Sequence, residues 1–188
     1  GKGEYITLKD RPEAPLPQWI TGLTGKPNER IVINQDMIDY TQQYVDLVRS
    51  ENKGMEIQVE KSFDLSWLAP GMHGTNDANA GDFMGTLRVY DLKYGRGVIV
   101  EPEENPQQML YALGAIGKHN KNEYEDVEII IVQPRAPHPD GPVRRWRISV
   151  AELMAWSKTL KVKAEATEDP KAPLCVGNHC QFCPAMAV

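Results

Sequence analysis

Gly74-Thr75-Asn76-Asp77-Ala78, followed after a turn by Tyr90-Asp91-Leu92-Lys93, is the most informative part of the chain. Along a strand, residues two apart point to the same face, so Asp91 and Lys93 project together and a neighbouring strand can bring Asp77 beside them. Two carboxylates and an ammonium at one spot form a hard-oxygen site for Mg²⁺ or Mn²⁺ with a cation alongside. That arrangement suits phosphodiester hydrolysis: the metal polarises a phosphoryl oxygen and acidifies a bound water, while the lysine orients that water or offsets developing charge. Taken alone, Asp-x-Lys is more often a solvated or cross-strand charge pair.

Outward from this stretch, periodicity sets the order of elements. Upstream, Met37, Tyr40, Tyr44, Val45 and Val48 recur at helical spacing over 35–50, with Asn34 placed to cap the start. Ile57, Val59, Phe63 and Leu65 mark a first strand, 74–78 a second and 86–93 a third, with Asn79, Gly81 and Asp82 as turn residues between the last two. Residues 98–100 extend or follow the third strand. Asn105, Pro106 and Gln108 open a helix as cap, first position and capping-box partner. On that helix Gln107 and Tyr111, four apart, share a face. The β-branched run 127–132 reads as a buried strand, 145–149 pairs with it across a Pro-rich connection, and a last helix spans 150–160. The expected order is helix, three strands, helix, two strands, helix, an α/β fold with a central mixed sheet flanked by helices.

Gly-x-x-Asp, then Asp-x-Lys, then Gln-x-x-x-Tyr on a helix resembles the RecB-like branch of the PD-(D/E)XK nucleases, which includes CRISPR-associated exonucleases and nuclease domains of bacterial recombination helicases. The chain is more similar still to an uncharacterised phage and prophage family within that branch. The likeness runs through Asp91-Leu92-Lys93-Tyr94-Gly95-Arg96-Gly97-Val98, Asn105-Pro106-Gln107-Gln108-Met109-Leu110-Tyr111, Gln133-Pro134-Arg135 and His179-Cys180-Gln181-Phe182-Cys183-Pro184. The resemblance implies a restriction-endonuclease-like core and a metal-dependent deoxyribonuclease, an exonuclease of phage replication or recombination. Asp77 and Asp91 would bind Mg²⁺ or Mn²⁺, Lys93 would be catalytic, and Gln107 and Tyr111 would lie along the substrate strand. The expected partners are DNA and phage replication or recombination proteins. A noncatalytic DNA-binding or assembly module on the same fold is the alternative, disfavoured because both acids and the lysine are present.

Relatives of this type carry another His or acidic metal ligand on an upstream helix, in a context absent here. Glu29, Asp36 and Asp39 are candidates by position, and the chain reads as a fragment of a longer one. His73 reads as a loop residue rather than a ligand. At the other end Cys175, Cys180 and Cys183, the only cysteines, are spaced like zinc or iron-sulfur ligands. The resemblance implies a [4Fe-4S] cluster, with Zn²⁺ as alternative and the fourth ligand from His179 or beyond the chain. Three free thiols in a loose tail remain the plain reading. The expected organisation is an irregular arm over 1–34, the core over 35–163, and a linker with a cysteine-rich metal-binding tail over 164–188.

Composition bounds the rest. With 188 residues, 41% of them hydrophobic, the chain can bury a core without disulfides. A net charge of −5 leaves no broad basic footprint, so contact with DNA would have to come from a local patch. Arg135 and Arg145, with Arg144, Arg147 and the intervening Trp146, are candidates to hold phosphates or stack on a base. No stretch has the length of a membrane span and no leader is evident, so a cytoplasmic location and no membrane partner are expected. No Gly-x-Ser-x-Gly, His-Glu-x-x-His or phosphate-cradling Gly-rich motif points to other hydrolase chemistry.

Overall fold

A computed structural model describes residues 33–117 and 123–173, with Cys175, Gly177 and Cys180. The chain divides into two compact units, Gly1–Lys53 and Gly54–Val188. The described part of the first is helix α1 (Gln35–Glu51), capped by the Asn34 side chain, which accepts the Met37 N–H at 3.0 Å. The second holds β1 (Gln58–Asp64), β2 (His73–Gly81), β3 (Thr86–Leu92), α2 (Pro106–Ile116), β4 (Asp126–Val132), β5 (Val143–Ser149) and α3 (Val150–Thr167).

The five strands form one mixed sheet in sequence order. β1, β2 and β3 are joined antiparallel, β4 runs parallel to β3, and β5 returns antiparallel. A parallel neighbour cannot be reached by a hairpin, so the chain must cross over, and α2 is that crossover. β4 sits between β3 and β5 and buries Ile129, Ile130 and Ile131 in succession, the reason the run 129–132 is apolar on both faces. Leu87, Val89, Val127, Ile129 and Ile148 of the sheet meet Met109, Ala112, Leu113 and Ile116 of α2 and Leu153 of α3 in one core. Each of the Val, Leu, Ile and Met side chains among them contributes roughly 1.5–3 kcal/mol by leaving water. Gly114 lets α2 settle onto β1, since a Cβ there would stand 2.7 Å from Phe63 Cβ.

Several local expectations change in the structure. α3 continues to Thr167, past the expected 160, because Lys161, Lys163, Ala164, Glu165 and Ala166 favour helix and no proline intervenes before Pro170. Its start carries a full capping box, with Ser149 and Glu152 satisfying each other's backbone N–H groups. At α2 only half a box forms: Asn105 caps the Gln107 and Gln108 N–H groups, but the buried Gln108 amide has no partner among the described residues. Residues 98–100 form no strand. Asn79 lies inside β2 and is buried, not in a turn. His73 begins β2 and contacts the Gly71 carbonyl through Nδ1 at 3.0 Å. No helix among the described residues is long and apolar enough to cross a membrane.

Candidate functional site

The site forms where β2 and β3 part. Their ladder ends at Ala78–Tyr90, one step before Asp77 would face Asp91. Side chains take over there: Asp77 Oδ2 accepts the Leu92 N–H at 2.8 Å, and Asn76 Nδ2 donates to the Tyr90 carbonyl at 3.2 Å. β2 is locally distorted at this point, although its register with β1 is kept. Asn79 Nδ2 donates to Asn76 Oδ1 at 2.9 Å, although residues three apart in a regular strand lie on opposite faces. Across from Asp77 on β1, Glu60 stands at φ +49°, a left-handed conformation costing a non-glycine residue about 1–3 kcal/mol. The irregularity of both strands falls on the carboxylate that the sequence singled out.

Asp91 is 3% exposed, and its Oδ2 lies 2.8 Å from Lys93 Nζ. That contact is an ion pair without hydrogen-bond alignment, and among the described residues no donor is aligned on Asp91 Oδ2. Lys93 Nζ donates to Gln107 Oε1 at 2.9 Å, and Gln107 Nε2 donates to the Tyr111 hydroxyl at 2.9 Å. The amide is thereby fixed in orientation, and the Tyr111 hydroxyl, already accepting, keeps its own proton to donate outward. Gly74 makes room for this helix face, since a Cβ there would stand 3.1 Å from the Tyr111 ring. Burial raises the Asp77 carboxyl above the usual carboxylate range. The Leu92 N–H opposes that shift, the charges of Asp91 and Glu60 add to it, and Lys93 opposes it.

A divalent cation fits these residues. A buried carboxylate oxygen without an aligned donor among the described residues, and a second carboxylate whose charge is disfavoured first by burial and then by Asp91 and Glu60, are what such an ion relieves. Among the described residues no three His, Cys, Asp or Glu side chains cluster as a ligand set. Two carboxylates suffice for Mg²⁺, which keeps waters and takes phosphate oxygens for the rest of its shell.

The other candidates are distributed differently. Arg135 lies over the Tyr94 ring at 4.3 Å and donates to the Tyr94 carbonyl at 3.4 Å, beside Lys93 in sequence. Arg145, opposite Ile130 on β5, pairs with Glu128 at 3.7 Å, and Arg147 pairs with Asp126 at 3.9 Å. The expected basic strip is therefore interleaved with acids of β4. Arg144 is buried and binds backbone, which its run of arginines does not suggest. Asp36 and Asp39 lie on α1, whereas Glu29, His179 and Cys183 fall outside the described residues. Cys175 is exposed and Cys180 partly so. Glu60 and the Asn76–Asn79 pair are the site features the sequence reading missed.

The fold and site define an α/β protein with a mixed five-stranded sheet and a pair of acids and a lysine gathered where two central strands diverge. The chain belongs to the family described as "Protein of unknown function (DUF2800)", which it matches over residues 7–188. Among solved structures it is similar to SSO0001, with 13% identity over 67% of this chain and 61% of that one, at a TM-score of 0.32. It therefore spans less than two thirds of SSO0001. It is also similar to an alkaline exonuclease (LHK-Exo) from Laribacter hongkongensis, with 14% identity, 79% of this chain and 76% of that one covered, and a TM-score of 0.32. The same exonuclease in complex with dAMP gives 16% identity, the same coverage and a TM-score of 0.32.

Proposed function

We propose that the chain is a divalent-metal-dependent deoxyribonuclease with a restriction-endonuclease-like core, acting on DNA ends. The observation that carries this reading is the buried Asp91 oxygen, without an aligned donor, beside a lysine held by Gln107, with the Asp77 carboxylate on the adjoining strand. Asp77 and Asp91 would hold Mg²⁺ or Mn²⁺, which when bound polarises the scissile phosphoryl group and acidifies water. Lys93, partly exposed and tethered on two sides, presents its ammonium to the attacking water or to the charge that builds on phosphate oxygens. Gln107 orients Tyr111, whose hydroxyl proton is free to bind a phosphate oxygen of the strand. The guanidinium of Arg135, stacked on Tyr94, is a second anchor for the strand. The ordered motifs add a setting in phage replication or recombination. The cysteine tail adds a [4Fe-4S] or zinc clamp at the C-terminal end.

The test uses end-labelled linear DNA and closed circular DNA, each with Mg²⁺, with Mn²⁺, and with excess chelator. Metal-dependent shortening of the linear substrate, stopped by chelator and sparing the circle, is the expected result. No cleavage of either substrate with either metal overturns the nuclease reading, and cutting of the circle overturns its restriction to ends.

A further inference from the structure

Between Lys93, just past the end of β3, and Asn105, the cap of α2, residues 94–104 form neither helix nor strand. Several of their backbone groups are met instead by Gln133, of the β4–β5 connection, and Arg144, of β5. Gln133 Nε2 donates to the Val98 carbonyl at 2.7 Å and the Gly95 carbonyl at 3.4 Å, and Gln133 Oε1 accepts the Val100 N–H at 3.1 Å. Arg144 Nη2 donates both to the Val100 carbonyl at 2.8 Å and to Gln133 Oε1 at 2.7 Å. Its Nη1 reaches the Gly141 carbonyl at 3.3 Å, and its Nε lies 3.5 Å from Glu101 Oε2. Gln133 is 1% exposed and Arg144 4%. A buried guanidinium is a costly way to close a surface loop, because its charge must leave water and apolar packing would serve. What the pair provides is direction: with every hydrogen-bonding site of the Gln133 amide engaged, the loop has one permitted path.

That path joins the two partners of the Lys93–Gln107 hydrogen bond. Lys93 is fixed at one end by its N–H to the Val132 carbonyl at 2.8 Å, and Gln107 at the other by the Asn105 cap at 3.1 Å. We infer that Gln133 and Arg144 are positioning residues, a buried strut that sets the reach of Lys93 to Gln107 and hence the site's rate of DNA cleavage. This rests on the nuclease reading for its kinetic consequence, but not for its structural one.

Two readouts on the full chain test it. In Gln133→Met, hydrogen exchange of the metal-free, DNA-free protein should quicken at the Val100 amide and, through the loop, at the Gln107 amide, with the Ile130 amide as protected as in wild type. In cleavage assays kcat should fall about 10- to 100-fold, as for lost outer supports of a site, with KM for DNA within about twofold of wild type. Arg144→Lys keeps the charge but cannot span both oxygens, so it should show the same pattern at smaller amplitude, and it carries the test if Gln133→Met does not fold. Faster exchange at Val100 with Gln107 unchanged makes the strut merely local and overturns the inference, as does wild-type kcat in an active enzyme. If wild type cleaves no DNA, the nuclease reading falls, and the Gln107 exchange alone decides the positioning role.

Discussion

Asp91→Asn should cut DNA at least about 100-fold more slowly than wild type, the scale on which one preorganised electrostatic contact acts in an active site. The amide keeps the shape of the carboxylate and removes its charge, so folding should be unaffected. Lys93→Ala should lose cleavage to the same degree, for a different reason and with a different side effect. It strips the cation from a carboxylate that is 3% exposed, leaving a buried charge unpaired. The lysine side chain is itself 23% exposed, so the penalty is less than for a fully buried pair, about 1–3 kcal/mol. Combining the two substitutions should restore stability without restoring activity. Single-turnover cleavage and urea melts of the three variants check this. Wild-type rates in Asp91→Asn, or a double variant as unstable as Lys93→Ala, would count against the arrangement.

The second large effect has the opposite sign for stability. The Asp77 carboxyl titrates above its ordinary range, first because burial disfavours its charge and then because Asp91 and Glu60 stand near, with the Leu92 N–H and Lys93 opposing. A carboxyl whose folded value is raised binds its proton more tightly in the folded than in the unfolded chain. The metal-free protein therefore loses stability as pH rises from the usual carboxylate range through the raised value, and regains it on acidification. Asp77→Asn removes that dependence and can still accept the Leu92 N–H. At neutral pH the metal-free variant should melt roughly 2–4 °C above wild type, the scale of one favourable substitution in a chain this long. Mn²⁺ should then raise the wild-type Tm, by about 2.7 kcal/mol of stabilisation at 100 times Kd, and leave the variant nearly unmoved. Equal stabilisation of both proteins by Mn²⁺ would remove Asp77 from the metal site.

The parts of this picture legible in the sequence are those governed by period. Asp91 and Lys93 could be paired because a strand repeats every two residues, and Gln107 with Tyr111 because a helix brings residues four apart together. The element order followed from the same logic, and β4 announced its burial on both faces through the run Ile129-Ile130-Ile131-Val132. The missed features lie where period fails. A non-glycine residue in the left-handed region, as at Glu60, leaves no mark in composition, and Asn79, whose residue type favours turns, is held inside a strand by its bond to Asn76. Arg144 stands in a run of arginines, which suggested a local basic patch, and nothing beside Gln133 marked its partners. Only the fold brings a carbonyl-rich loop from 33 to 44 residues away to meet them. The end of α3 was set by helix propensity after its apolar periodicity had ceased.

The most direct test of the central claim is the anomalous scattering of Mn²⁺ in crystals of the full chain. A strong anomalous difference peak is expected within coordination distance of both the Asp77 and Asp91 carboxylates, with Lys93 beside it and water completing the shell. Manganese bound elsewhere with both carboxylates unengaged, or no peak at the parting of β2 and β3 at millimolar Mn²⁺, would contradict it.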